Sequence, residues 1–154
     1  MLSPSFNKLD ANLILAIQDG ALAAASLSSP SGVEIEFILA SLHSRRSNEL
    51  TKFFDNGPKF EAMCQKFLVL PENRTLPRAT SADDYIPVPN ADYASGWSIT
   101  FAPELLRILA GASRLAVEDG RSHASIKDLM DSLAQETQAT SRLKSKWNIS
   151  LKLP

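Results

Sequence analysis

The chain has 154 residues, a length that predicts one domain able to bury a core without covalent staples. Its net charge of −1 excludes a global bias toward nucleic acid or anionic membranes. The single cysteine, Cys64, excludes an internal disulfide framework and fits a reducing, cytoplasmic compartment. The first residues do not have the pattern of a signal peptide, and no apolar run approaches the roughly 20 residues of a membrane span.

The first half of the chain predicts helices joined by short breaks. Residues 7–27 carry an apolar stripe at helical spacing, with Asn7 as the expected N-cap. The polar run 28–32 contains Pro and Gly and breaks this helix, and a second apolar helix follows that ends near His43. A short helix over 47–54 is expected next.

Pro58 then opens a helix that carries Cys64 on its apolar face, where the thiol fits a small buried hydrophobe. Residues 71–99 are polar and are interrupted by four prolines, so they predict a long connector. We therefore expect the first helical unit to end before residue 71.

The helical pattern of the first half returns after the connector. Six apolar or small positions between 9 and 24 recur 92 positions later, and six between 33 and 42 recur 91 positions later. One residue is thus lost, and it is lost in the turn between the two helices. Thr100 is the expected cap of the returning helix, and Asp119-Gly120 ends it. An offset that holds across two helices predicts an internal duplication.

These elements predict an all-α fold, a tandem pseudo-twofold pair of helical repeats with about 7–8 helices in a single domain over 1–154. Repeat 1 covers about 6–70, repeat 2 covers about 100–147, and the proline-rich connector 71–99 lies between them. Repeat 2 includes a last helix over 135–147, and a tail of 148–154 follows.

Three segments carry a resemblance to a known family: Val33–Leu42, Phe101–Leu109 and Ala124–Leu133. Together they resemble the N-terminal domain of Clp-family AAA+ unfoldases, a tandem of two four-helix repeats. The resemblance covers residues 6 to about 143. It implies a module without catalysis that docks protein substrates or adaptors, either within a Clp ATPase or beside one. The chain differs from the family in its longer connector and in lacking a fourth helix in the second repeat.

The resemblance also implies candidate binding residues. In the family a substrate groove runs beside the long helix of the second repeat, and the matching positions are Leu109, Gly111, Leu115 and Leu129. Leu109 and Leu129 fit an ordinary core slightly better than a groove, whereas Leu115 interrupts the buried stripe and is the best groove candidate.

Glu36 matches a position at which some family members hold phosphorylated arginine, so it is a candidate polar contact. Its counterpart in the second repeat is Lys127, and a base at that position weakens the expectation of phosphoarginine recognition.

Motifs for catalysis, cofactors and metals are not found. His43 and His123 have no Cys or His at metal-ligand spacing, and no Gly-x-x-x-x-Gly-Lys phosphate loop occurs. We therefore expect no enzyme activity, cofactor or metal, and a protein partner without membrane contact. The alternative is a helical regulator that binds nucleic acid through the basic segment 142–152, which the nearly neutral chain makes less favoured.

Overall fold

The computed structural model describes residues 8–26, 32–68, 91–92, 98–99 and 101–152. This part of the chain is mostly helical, which confirms the all-α class, and none of its helices is long and apolar enough to cross a membrane. It holds six α-helices where the sequence predicted about 7–8. They are α1 (Ala11–Ser26), α2 (Ile35–Leu50), α3 (Gly57–Leu68), α4 (Pro103–Glu118), α5 (Ile126–Gln135) and α6 (Thr137–Trp147).

The first long helix, α1, begins at Ala11 because Asp10 caps it. The Leu13 backbone N–H donates to Asp10 Oδ1 at 3.0 Å, which satisfies one of the free donors at the helix start. The expected cap, Asn7, lies outside the described residues. Because α1 begins at Ala11, its cap is Asp10, three residues after Asn7. An Asp at this position also suits the positive end of the helix dipole.

Helix α2 continues to Leu50, so the prediction of an end near His43 and a separate helix over 47–54 was wrong. No glycine or proline occurs between Glu34 and Asn56, so nothing in the polar stretch after His43 interrupts the helix. A single 3₁₀ turn, Thr51–Phe53, follows α2 directly.

Helices α1, α2 and α3 pack around one apolar core. Gly20 on α1 lies so close to α2 that a Cβ there would be 2.9 Å from Ile38 Cδ1. On α3, Phe60 stacks on Phe54 with 4.2 Å between ring centroids, and Cys64 is buried as the sequence predicted. A side chain at position 20 would therefore require the end of the Ile38 side chain to move, whereas the backbone of Phe37 would be at ordinary contact distance.

The link between α4 and α5 is closed by local hydrogen bonds. Gly120 has a φ of 75°, and the N–H of Arg121 donates to the Ala116 carbonyl oxygen at 2.8 Å. This is the helix end that Asp119-Gly120 predicted. Ser125 and Asp128 then form a capping box at the start of α5.

Asp128 gives the fold an acid-sensitive contact. The Arg121 guanidinium donates to its carboxylate and lowers the pKa of Asp128 to about 2, below the ordinary 3.8. Because the folded-state pKa is the lower one, this stabilisation is complete above about pH 4 and is lost as the pH falls toward 2.

We expect Asp128→Asn to lower the free energy of unfolding by about 1–2 kcal/mol at neutral pH, a figure reduced because Arg121 is exposed. Urea unfolding of both proteins between neutral pH and pH 2 should show a shallower acid loss in the variant, and equal losses would contradict the assignment.

Two short parallel contacts join the halves of the chain, one between Leu9 and Ala124 and one between Val33 and Phe101. In each, the residue after Leu9 or Phe101 donates its backbone N–H to the carbonyl oxygen of the partner at 2.9 Å. The first contact places the start of α1 beside the start of α5. The second places the start of α2 beside the start of α4.

The C-terminal residues also return to the first half. α6 ends at Asn148, which is left-handed with a φ of 58°. The following residues run beside Phe54, and the Lys152 N–H donates to the Phe53 carbonyl oxygen at 2.8 Å. A two-residue antiparallel pair, β1 (Ala91–Asp92) and β2 (Ser98–Ile99), lies within the predicted connector, where no strand was expected.

Candidate functional site

Four charged side chains meet where the starts of α2 and α4 lie beside α6. Glu34 directly precedes α2, Glu36 lies in its first turn, Glu104 lies in the first turn of α4, and Arg142 belongs to α6. Acidic side chains suit these positions because the first turn of a helix carries a partial positive charge. We call these four residues the carboxylate–Arg142 cluster.

Arg142 contacts all three carboxylates of the cluster. Its Nε donates to Glu36 Oε2 at 2.8 Å and its Nη2 donates to Glu36 Oε1 at 2.7 Å, the bidentate geometry that a guanidinium favours. Nη2 also forms an ion pair with Glu104 Oε1, and Glu34 Oε2 lies 3.7 Å from Nε. The Glu36 side chain is 1% exposed, so the centre of the cluster is buried.

The charges of the cluster do not balance, because three carboxylates face one guanidinium. Burial raises the pKa of Glu34, and the neighbouring Glu36 carboxylate adds to this effect, while Arg142 opposes it. Hydrogen bonding to Glu36 raises the pKa of Arg142 further above its already high value. Arg142 therefore stays charged, and burial favours the protonated form of Glu34.

An open depression of about 350 Å³ lies beside the cluster, lined by Glu34, Ala102, Pro103, Glu104, Gln138 and Arg142. One oxygen from each carboxylate lies within 4.8 Å of the others, a spacing that suits a divalent cation with oxygen ligands. Arg142 already places a positive charge among these oxygens. The described residues therefore form an internal ion-pair network rather than an open metal site.

Glu36, the expected polar contact for a partner, is occupied by the chain itself. Both of its carboxylate oxygens accept hydrogen bonds from Arg142. Its counterpart Lys127 is exposed and pairs with Asp131 Oδ2 at 2.8 Å. A cationic ligand could reach Glu36 only by displacing Arg142.

The four groove candidates lie in different environments. Leu109 and Leu129 are both 0% exposed and belong to the core between α4 and α5. Gly111 is also buried, and a Cβ there would meet the Ser132 hydroxyl, which donates to the Ile108 carbonyl oxygen. A larger residue at position 111 would therefore force this hydroxyl out of its hydrogen bond.

Leu115 differs from the other candidates because it is half-buried. Val117 lies two residues further along α4. It is 54% exposed, and among the described residues it is the exposed large apolar side chain. Because residues two positions apart on a helix do not share a face, Val117 lies on the opposite flank of α4 from Leu115. Of the four groove candidates, Leu115 is therefore the accessible one.

The candidate reactive residues lie in separate places. His43 is half-buried with its ring 5.2 Å from that of Phe60, and His123 is exposed and shares a hydrogen bond with Ser122. Burial raises the pKa of the Cys64 thiol to about 12, so it stays protonated and is a poor nucleophile.

The basic segment 142–152 does not act as one surface. Arg142 points into the carboxylates, whereas Lys144 and Lys146 are exposed. The sequence placed Arg142 in this basic segment, and no pattern in it connected Arg142 with Glu104. One signal was present: Arg142 directly precedes Leu143, which is buried, so it flanks the apolar stripe of α6.

Comparison with known proteins gives no match to a family model, to a curated protein or to a solved structure.

Proposed function

We propose that this chain is a protein-binding module, resembling the N-domain of a Clp ATPase or chaperone, that docks a substrate or adaptor in the cytoplasm and catalyses no reaction. The observation that carries the proposal is Leu115 on α4, an apolar side chain that lies outside the buried stripe of this helix and is only half-buried. Apolar side chains at the end of an amphipathic helix are a common receiving surface for a partner helix or extended segment.

Equivalent positions support the tandem pseudo-twofold repeat. α1 and α4 each span 16 residues and begin 92 positions apart, and α2 and α5 begin 91 positions apart. The two parallel contacts join Leu9 to Ala124 and Val33 to Phe101, and a twofold exchange of the halves converts one contact into the other. Such an arrangement is the one expected of the resembled domain, whose ATPase would act in cis or in trans.

The test is affinity capture from lysate of the source organism with the tagged chain, read by mass spectrometry. Leu115→Asp should abolish capture of the dominant partner without loss of helical content, because a charge is placed on the docking surface but not in the core. Ala110→Asp is the matched control, since Ala110 is an exposed residue of the same helix. Unchanged capture by Leu115→Asp, or equal loss in both variants, would contradict the proposal.

The alternative is a helical regulator that binds nucleic acid through the basic C-terminal segment. The exposed Lys144, Lys146 and Lys152 favour it. Because Arg142 is held by carboxylates, few cations remain for phosphate contacts, and the alternative requires DNA or RNA binding with a steep salt dependence.

A further inference from the structure

The C-terminal ends of α3 and α6 bring two lysines to one aromatic ring. Lys66 Nζ lies 5.6 Å from the centre of the Trp147 indole, and Lys146 Nζ lies 5.4 Å from it. Phe67 packs edge-on against the same indole, with 5.5 Å between centroids. We call Lys66, Phe67, Lys146 and Trp147 the Trp147 patch.

The patch combines exposed charge with accessible apolar surface. Both lysines are exposed, and Phe67 and Trp147 are only partly buried. The ring of Phe67 packs edge-on against the ring of the buried Phe37, with 4.8 Å between centroids. The aromatic side chains of the patch are therefore fixed against the core. The patch therefore combines aromatic side chains packed against the core with two exposed ammonium groups near the indole ring.

Within the described ranges neither Lys66 nor Lys146 forms an ion pair, whereas Lys127 pairs with Asp131. The charge of Lys146 acts on the Glu34 carboxyl and lowers its pKa, but the two groups are not in ion-pair contact. The C-terminal end of a helix and the face of the indole ring each favour a lysine at this place. These two attractions account for one lysine at each helix end. Two like charges around one ring repel each other, however, and an anion bound between them would remove that repulsion.

We propose that the Trp147 patch binds an acidic segment of a protein partner. Carboxylates of the segment bridge Lys66 and Lys146, and its apolar side chains contact Phe67. Charge complementarity selects an acidic occupant. The aromatic geometry selects a protein over nucleic acid, because the indole that a base would stack on already has ammonium groups over it.

The surface is separate from the end of α4, so the inference goes beyond the docking function proposed above. Leu115→Asp tests the α4 surface and leaves the patch unaltered. The two proposals therefore fail independently.

The probe is poly-L-glutamate, titrated into the full chain carrying Trp97→Phe, which leaves Trp147 as the one tryptophan of the sequence. Binding should change the fluorescence of Trp147 and should weaken as salt approaches about 1 M, where the Debye length is about 3 Å. Lys146→Glu and Lys66→Glu should each weaken binding by about tenfold or more, since each replaces an attraction with a repulsion.

Lys144→Glu is the matched control. It makes the same charge change in the same last turn of α6, and Lys144 is exposed and, among the described residues, the lysines over the Trp147 ring are Lys66 and Lys146. The proposal requires this control to bind within about twofold of the parent, well under the tenfold that corresponds to 1.4 kcal/mol.

Three results would overturn the proposal. One is no binding of poly-L-glutamate, and another is equal weakening by Lys144→Glu, which would indicate a general charge effect. The third is tighter binding of single-stranded oligothymidylate that depends on the same two lysines, which would make the patch a nucleic-acid surface.

Discussion

Replacing Arg142 with glutamine should lower the free energy of unfolding by about 3–5 kcal/mol, the range for removing one partner of a buried ion pair. Arg142 is the guanidinium that Glu36 and Glu104 both contact, and Glu36 is 1% exposed. Without it, carboxylates that are buried between the halves lose their counter-charge. Urea unfolding at neutral pH, followed by circular dichroism, measures the difference.

The pH dependence of this loss has a defined sign. In Arg142→Gln the unpaired carboxylates should have raised pKa values in the folded state, because burial and mutual repulsion favour their neutral forms. A raised folded-state pKa of an acid means that stability is gained as the pH falls, so the deficit of the variant should shrink on mild acidification. A deficit that is constant with pH would show that the loss comes from packing rather than charge.

Two further variants identify the cluster as the cause. Lys144→Gln removes an exposed charge from the same helix and should change stability by less than about 0.5 kcal/mol. Glu36→Gln combined with Arg142→Gln should be less destabilised than the sum of the single changes, because the first removes the charge that the second leaves unpaired. Additive losses would contradict direct coupling of Glu36 to Arg142.

Replacing Leu129 with alanine should cost about 2–5 kcal/mol, the range for truncating a buried leucine in a packed core. Leu129 is 0% exposed and lies in the core beside α4. The same truncation of the half-buried Leu115 should cost about 1 kcal/mol, because part of its side chain already contacts water.

Thermal and urea unfolding of the two variants separates core from accessible surface. If Leu129→Ala lost no more free energy of unfolding than Leu115→Ala, position 129 would be more open to solvent than the structure shows. Partner capture adds a second readout, since Leu115→Ala should weaken capture at nearly unchanged stability. A Leu115→Ala protein that lost stability as strongly as Leu129→Ala would assign Leu115 to the core.

Local patterns in the chain were sufficient to predict several elements. The apolar stripe predicted the buried face of α4, and Asp119-Gly120 predicted its end. Gly120 ends the helix in the left-handed conformation, which glycine adopts without the steric cost that other residues have there. The burial of Cys64 followed from apolar neighbours at helical spacing. The end of α2 was mispredicted because a polar stretch without glycine or proline is compatible with either a helix or a loop.

The amino-acid sequence by itself determined the helical class and the two matching sets of apolar positions, because amphipathic periodicity is a property of neighbours along the chain. Only the tertiary structure decided the sites. Arg142 lies 106 positions from Glu36, and no local pattern distinguishes a buried arginine from a solvated one. Lys66 likewise reaches the indole of Trp147 only because α3 and α6 end side by side. Which charges meet depends on how helices pack, and packing is set by the whole core rather than by any one segment.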